Sequence, residues 1–92
     1  MNKNLISKII INKEEKELKN RLNKIKKEFA NAKNQTSTIN ITESLIDVYA
    51  KLFAFEMDFC NNVGYTNKIK RNVYSLYSKI DCEKVKYINA LN

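Results

Sequence analysis

The 92-residue chain contains no histidine, no proline and no tryptophan, and it has a single glycine, Gly64. Proline and glycine are the residues that most often interrupt helices, so their near absence favours long helical segments. Histidine is the side chain most often used for acid–base catalysis near neutral pH and for metal binding. The composition therefore predicts an all-α protein and argues against an enzyme.

The length and the apolar content of the chain limit its architecture. Ninety-two residues fit one domain with one core, and an apolar content of 43% argues against disorder. Uninterrupted apolar runs are short, as at 9–11, so no transmembrane helix is expected. The N-terminus lacks the apolar region and cleavage site of a secretory signal. We therefore expect a single helical-bundle domain over residues 1–92, located in the cytoplasm.

The net charge of +7 is distributed unevenly along the chain. Residues 1–40 carry +6, residues 41–64 carry −3, and residues 65–92 carry +4. Such segments can complement one another in a folded bundle, and the abundance of lysine, asparagine and isoleucine is also typical of a genome rich in A and T. A solvated surface is therefore a better interpretation of this charge than a dedicated site for a polyanion.

The first third of the chain predicts two helices followed by a loop. Asn12 and Glu15 have the capping-box spacing, which predicts that a second helix starts at Asn12. One long helix is the alternative, because Ile11 and Leu18 lie seven residues apart and share a helical face. The polar segment 33–38 predicts the main loop. The apolar residues of the two helices are Leu5, Ile6, Ile9 and Ile10 in the first, and Leu18, Leu22, Ile25, Phe29 and Ala32 in the second.

The third predicted helix is the most apolar one. It is expected to begin near Asn40 or Thr42 and to end at Gly64, as a left-handed residue after the last turn. Its two neighbouring apolar rows predict the most buried helix of the bundle, in contact with at least two others. Cys60 is interpreted as a small core residue. The rows are Leu45, Val48, Leu52, Phe55 and Phe59 in one, and Ile46, Tyr49, Phe53 and Cys60 in the other.

The remaining sequence predicts a fourth helix and leaves a fifth open. Thr66 is a candidate cap for the fourth helix, and the short connection before it makes helices three and four antiparallel neighbours. Asp81 is a candidate cap for a short last helix. The inner residues are Ile69, Val73, Leu76 and Ile80 in the fourth helix, and Val85, Ile88 and Leu91 in the last. The sequence thus predicts an antiparallel four-helix bundle, to which a short fifth C-terminal helix can be added.

Residue types that carry catalysis or bind cofactors form no recognisable motif. Cys60 and Cys82 would lie roughly 15–20 Å apart in the predicted hairpin, too far for a disulfide bond. The carboxylates Glu14, Glu15 and Glu17 suit the dipole at the start of a helix. No glycine-rich phosphate loop, activated nucleophile or metal-ligand spacing is visible. We therefore expect no catalytic residues, no cofactor and no metal.

The segment around Gly64 shares features with a helix-turn-helix motif, because a small residue precedes the glycine and a basic helix follows it. The inward residue of such a motif falls six positions after the glycine, where this chain has Lys70. The apolar Ile69 comes one position early, which turns the recognition face by about 100°. A small DNA- or RNA-binding protein of a plasmid or phage is an alternative function. Its basic and aromatic residues would be Lys68, Lys70, Arg71, Tyr74 and Tyr77.

Four segments carry a resemblance to a known family: Asn12–Leu18, Lys26–Asn34, Tyr65–Ile69 and Val73–Ile80. They are similar to the second helix, the turn between helices three and four, and the fourth helix of the class IIa (pediocin-like) bacteriocin immunity proteins. The resemblance implies a small, basic, cytoplasmic four-helix bundle. It also implies that the protein protects its producer by binding the bacteriocin-bound mannose-phosphotransferase permease from the cytoplasmic side.

A protein partner would be contacted at the exposed turn between helices three and four. The candidate partner-binding residues on or beside this turn are Tyr65, Asn67, Lys68, Lys70 and Arg71. Ordinary solvated surface is the alternative interpretation of all five. A phage-encoded protein inhibitor, such as an anti-CRISPR protein, is a third functional hypothesis. The protein is expected to be a monomer or a homodimer, and a homodimer could form on the row Leu18–Phe29.

Overall fold

The computed structural model describes residues 3–91, which form three α-helices joined by two short connections. Helix α1 spans Lys3–Ala32, α2 spans Thr38–Phe59 and α3 spans Asn67–Leu91. No strand occurs within this range, so the predicted all-α class is confirmed. The predicted four-helix bundle with a fifth helix is wrong, because residues 3–91 form three helices, each continuous.

The predicted break at Asn12 is absent, and α1 continues through it for a total of 30 residues. Asparagine in a helix interior costs at most about 0.7 kcal/mol relative to alanine, whereas a break would leave several backbone groups without partners. Ile11 is half-buried, and it lies on the same helical face as the buried Leu18. The alternative of one long helix is therefore correct.

Helix α3 likewise includes the segment that was predicted to form a fifth helix. Asp81 is an exposed residue in the interior of α3 and does not cap a new helix. Val85 is exposed, and Tyr87 packs against the core from this part of the helix. The side chains of Ile88 and Leu91 lie outside the described residues. The chain has no proline or glycine after Gly64, so nothing interrupts α3.

Two polar side chains fix the starts of α2 and α3. The Ser37 hydroxyl accepts a hydrogen bond from the backbone N–H of Asn40 at 3.1 Å, so α2 starts at Thr38, before the predicted start near Asn40 or Thr42. The loop at 33–37 agrees closely with its prediction. The Thr66 hydroxyl accepts from the backbone N–H of Ile69 at 3.4 Å, which confirms its predicted role as a cap.

Gly64 has a different role from the predicted one. Helix α2 ends at Phe59, and Gly64 does not have a positive φ, so it is not a left-handed stop signal. A Cβ atom at this position would instead collide with the backbone of Glu14 and Glu15 in α1. Glycine is needed because the α2–α3 turn packs directly on the backbone of α1.

The buried side chains of all three helices form one core. Each predicted principal row contributes to it. The buried residues are Leu18, Leu22, Ile25, Phe29 and Ala32 from α1, Ile41, Leu45, Val48, Leu52 and Phe55 from α2, and Ile69, Val73, Leu76 and Ile80 from α3. The row Leu18–Phe29 is therefore covered by the chain's own α2 and α3. A homodimer built on that row is excluded as long as this bundle is folded.

The second predicted row of α2 does not enter the core. Tyr49 is half-buried, but Ile46 and Phe53 are about half exposed, and Cys60 is also exposed. The interpretation of Cys60 as a core residue is wrong. Helix α2 does contact both other helices, as its wide apolar surface predicted. Three helices provide only two neighbours for α2, so its remaining side faces solvent.

Helices that follow one another in sequence run antiparallel, and they are offset from one another along the bundle axis. Tyr49 packs on Tyr77 with ring centroids 5.0 Å apart, and Phe55 on Tyr65 at 6.4 Å, so α2 and α3 run in opposite directions. The molecule is 62 Å long, whereas α1 alone spans only about 45 Å. The α2–α3 turn meets α1 at Glu14, so residues 5–13 of α1, here called the N-terminal arm, extend beyond the turn.

Candidate binding site at the α2–α3 turn

The turn between α2 and α3 is held rigid by Asn62. The side-chain oxygen of Asn62 accepts from the backbone N–H of Gly64 at 2.7 Å, and its backbone carbonyl accepts from the N–H of Tyr65 at 2.9 Å. The side-chain amide of Asn62 also donates to Glu14 Oε2 at 3.5 Å, which links the turn to α1. Together with the close approach of Gly64, these bonds fix the position of the turn on the bundle.

A surface groove lies between the end of α2 and the start of α3, directly beside this turn. It combines two tyrosine rings and a thioether with one carboxylate and one ammonium group. Its lining residues are Glu56, Met57, Cys60, Tyr65, Asn67, Lys70 and Tyr74, and we call it the turn groove. Over residues 3–91 the cysteine and acidic side chains form no group of three that could hold a metal ion.

Tyr65 lies at the base of the turn groove. Its ring packs on Phe55, and its hydroxyl is shielded from solvent without a hydrogen-bond partner among the described residues. Burial raises the pKa of Tyr65 to about 12, and the negative charge of Glu56 adds to the shift. An unsatisfied buried hydroxyl costs about 1–3 kcal/mol of stability.

The Glu56 side chain is oriented by a contact between α2 and α3. Its Oε1 accepts from the hydroxyl of Tyr77 at 3.2 Å, and the Tyr77 ring packs on Tyr49. Burial, and then the charge of Glu56, raise the pKa of the Tyr77 hydroxyl above its usual value, so this hydroxyl stays a donor. In the same α2–α3 interface, the ammonium group of Lys84 lies 4.8 Å from the centroid of the Tyr49 ring. The carboxylate of the turn groove is thus held in one position.

The five predicted partner-binding residues do not share one surface. Tyr65, Asn67 and Lys70 line the turn groove, and the Lys70 ammonium lies 5.9 Å from the centroid of the Tyr74 ring. Lys68 and Arg71 are exposed but do not line the groove. Since successive helical residues are about 100° apart, residues 68 and 70 point to nearly opposite sides of α3. The prediction that all five contact a partner remains untested.

Sequence reasoning did not assign Glu56, Met57 and Cys60 to this site. These residues lie within one turn of the end of α2, and Glu56 and Cys60 are four positions apart on the same helical face. This four-residue spacing, next to the predicted turn, is the signal in the sequence that could have assigned them to the site. The interpretation of Cys60 as a core residue placed it away from any surface site.

The geometry of α2 and α3 differs from that of a helix-turn-helix motif. Ile69 is buried and Lys70 is exposed, as the one-residue shift in the sequence predicts. Contacts between the two helices continue from Tyr65 at the turn to Lys84 near the far end, so they form a long antiparallel hairpin. The helices of a helix-turn-helix cross at about 90–120°. The turn groove is therefore not a recognition-helix site of that kind.

Comparisons with known proteins give no relative for this chain: no protein-family model, no curated protein and no solved structure matches it. The resemblance to the class IIa bacteriocin immunity proteins rests on the sequence segments alone. None of the helices over residues 3–91 combines the length and the apolar character needed to cross a bilayer. The function must therefore be argued from the surfaces of the bundle.

Proposed function

We propose that this protein is a non-enzymatic binding protein that recognises another protein through the turn groove. Tyrosine and methionine are enriched at the centres of protein interfaces, and the groove presents Tyr65, Tyr74 and Met57 together. Glu56 and Lys70 add charges of opposite sign that can orient a partner. This grouping of aromatic, thioether and charged side chains is the observation that carries the proposal.

The rigidity of the turn supports the same proposal. Asn62 and Gly64 fix the turn on α1, and Tyr77 fixes Glu56. A partner that binds a surface already held in one conformation loses less free energy in ordering it. The groove can therefore support specific binding.

Within this class we propose the role of a cytoplasmic class IIa bacteriocin immunity protein. The two similar segments Tyr65–Ile69 and Val73–Ile80 contribute Tyr65, Asn67 and Tyr74 to the turn groove, so the resemblance and the groove concern one surface. The partner would then be the bacteriocin-bound mannose-phosphotransferase permease. A bundle of three helices differs from the four-helix bundle that the resemblance implies, which makes a functional assay essential.

The assay expresses the protein in a sensitive lactic acid bacterium or Listeria strain and challenges the cells with a panel of pediocin-like peptides. We expect protection against at least one peptide. Lys70→Glu combined with Tyr74→Ser should abolish it, because both changes lie in the turn groove. Lys68→Glu is the matched control, since it makes the same charge change outside the groove and should preserve protection.

Two results would contradict the proposal in different ways. Failure to protect against any peptide, at normal expression of the protein, would refute the immunity role. Protection that survives the double substitution in the groove would refute the groove as the binding site. A phage-type protein inhibitor could use the same groove, and the first result would make it the next hypothesis to test.

A second candidate function, nucleic-acid binding, is favoured by a different surface. A groove between α1 and α3 is lined by Lys26, Lys33 and Lys79 together with Asn72 and Ser75, without an acidic residue. Three ammonium groups beside two neutral polar groups suit phosphate contacts. This groove lies on the side of α3 that faces α1, away from the turn groove.

Fluorescence anisotropy with labelled DNA and RNA in a series of salt concentrations tests this candidate. Phosphate contacts by the α1–α3 groove should give binding that weakens steeply with salt, and Lys79→Glu should reduce the slope. Lys86→Glu, a change in an exposed lysine of α3 outside that groove, is the control. Binding that neither depends on salt nor responds to Lys79→Glu would eliminate the candidate.

A further inference from the structure

The N-terminal arm presents an uncovered apolar row. Leu5, Ile6, Ile9 and Ile10 are between 41% and 55% exposed, although all four are aliphatic. With about 100° between successive residues, this row lies about 150° away from the core row of α1. The arm's apolar side is therefore turned away from the chain's own α2 and α3. No rotation of α1 could cover both rows within one molecule.

Helix α2 carries a second uncovered apolar row, which we call the outer row. Its four large members are between 51% and 59% exposed, and the exposed Ala50 lies among them. The same helical arithmetic places this row about 150° from the core row of α2, on the side away from α1 and α3. The large members are Ile39, Ile46, Phe53 and Met57. An apolar stripe of this length on a small protein marks an interaction surface.

The two rows have complementary charge. The arm has no acidic residue between positions 5 and 13, and by position around the helix Lys13 lies in line with its apolar row, whereas Lys8 lies on another side of the helix. The outer row is flanked by Glu43 and Asp47 on one side and Glu56 on the other, by their positions around the helix. Within residues 3–91, neither Glu43 nor Asp47 forms an ion pair. Each row thus has the charge that the other would attract.

The arm is shorter than the outer row. The arm from Leu5 to Lys13 spans about 12 Å, whereas the outer row from Ile39 to Met57 spans about 27 Å, of which the stretch from Ile46 to Met57 makes up about 16 Å. The arm therefore fits on the C-terminal half of α2, in the way that an amphipathic helix lies along an apolar stripe. It cannot do so in its own molecule, because α1 is one continuous helix and the outer row faces away from it.

We propose that the N-terminal arm of one copy of this protein docks on the outer row of α2 in a second copy. One contact of this kind covers the arm's row and the C-terminal half of the outer row, and it brings Lys13 towards the acidic flank of α2. An anionic lipid surface would attract the arm as well, but it would repel the acidic flanks of α2 and leave the outer row exposed. A second copy accounts for both surfaces, and a membrane accounts for one.

Sedimentation equilibrium over a range of protein concentrations measures the association. The wild-type protein should show an average mass that rises with concentration above that of the monomer. Ile9→Glu, in the arm, and Phe53→Glu, in the outer row, should each remain monomeric. Val85→Glu makes the same kind of change at an exposed aliphatic residue of α3 and should associate like the wild type. Circular dichroism should show unchanged helix content in all three variants.

Mixing the two defective variants identifies the contact. The arm of Phe53→Glu is intact and so is the outer row of Ile9→Glu, so a mixture should regain association although each variant alone is monomeric. Contacts between two arms or between two outer rows would not be restored by mixing. That result would overturn the proposal, and so would a wild-type protein that stays monomeric at every concentration.

A lipid partner is tested with the same proteins. Wild-type protein that binds phosphatidylglycerol vesicles through Ile9 and does not self-associate would replace the second copy by a membrane and overturn the proposal. Ile9 and Phe53 do not line the turn groove. The substitutions at Ile9 and Phe53 therefore test the pairing of two copies without changing a residue of the groove.

Discussion

The two ends of helix α1 have the same kind of sequence and opposite environments. From Leu18 to Ala32 its apolar row is buried against α2 and α3, whereas from Leu5 to Ile10 an equally apolar row faces solvent. Both rows repeat with helical spacing, so periodicity does not distinguish them. The difference has two causes: the α2–α3 turn meets α1 at Glu14 and ends the bundle there, and the arm's row lies about 150° around the helix from the core row. Burial is decided by which side of α1 a row occupies and by where the neighbouring helices stop.

The largest expected effect comes from comparing the stability of two variants, with one substitution in each part of α1. Leu22→Ala, at a side chain that is 1% exposed, should lower the free energy of unfolding by about 2–5 kcal/mol, because it leaves a cavity in the core. At concentrations where the protein is monomeric, Ile9→Ala in the arm should change it by less than about 0.5 kcal/mol. Urea denaturation measures both. Equal losses for the two variants would show that the arm is packed in solution.

A second substitution disturbs the contact at which the buried part of α1 ends and the arm begins. Gly64→Ala places a methyl group against the backbone of Glu14 and Glu15, so the turn must move away from α1. We expect a loss of about 1–3 kcal/mol in the free energy of unfolding, as for other overpacked positions. Val63→Ala is the control, because Val63 is exposed in the same turn. A stable Gly64→Ala variant would contradict the close approach of the turn.

A third substitution disconnects the arm from the bundle. Asn12→Pro removes a backbone donor and clashes with the preceding turn of α1, so the helix should begin after it and the arm should unfold. Because residues 5–13 are about a tenth of the chain, the helical signal in circular dichroism should fall by about a tenth. The free energy of unfolding should hardly change. A large loss of stability would show that the arm supports the core.

The smallest expected effect is a pH dependence that arises in the packed region. Tyr65 and Tyr77 hold their hydroxyl protons more tightly in the folded state than in the unfolded state, where the pKa is near 10. As pH rises from about 10 to 12, the unfolded state loses these protons first, so the free energy of unfolding falls. Stability measured by urea denaturation should show this decline. Below about pH 10 these two groups should contribute no slope.

Substitution by phenylalanine tests which hydroxyls cause the decline. Tyr65→Phe and Tyr77→Phe should each flatten it, because each removes one of the groups that titrate differently in the two states. If neither variant flattens the decline, it comes from other groups, and the protected positions of Tyr65 and Tyr77 would be in doubt.

The all-α class and the core were predictable from sequence because they depend on local periodicity. The rows at Leu18, Leu45 and Ile69 repeat every three or four residues, and each of them is buried. The loop at 33–37 was predictable because it lacks helix formers. These signals need no knowledge of the rest of the fold.

The number of helices was not predictable, because a capping residue is only a local preference. Asn12 and Asp81 can each cap a helix, but they are also tolerated inside one at small cost, and continuity retains the backbone hydrogen bonds. Gly64 gave a misleading signal for a related reason. Its two uses, a left-handed stop and a close approach of two backbones, look identical in sequence.

The binding surface was only partly predictable. The exposed turn gave Tyr65, Asn67 and Lys70, but Glu56 and Met57 belong to the preceding helix and reach the turn groove only because α2 ends at Phe59. The outer row of α2 was visible as apolar residues. Sequence could not show that it faces solvent, because that depends on the absence of a third neighbouring helix among residues 3–91.

Met57 belongs to both the turn groove and the outer row. A docked arm and a protein in the groove would therefore compete for the same side chain, and the binding-competent form would be the free subunit. When most of the protein is paired, the amount of free subunit rises only as the square root of the total, by mass action. Pairing would then reduce the effect of changes in expression. A fourfold increase in the total concentration of the protein would only about double the concentration of the free, binding-competent subunit.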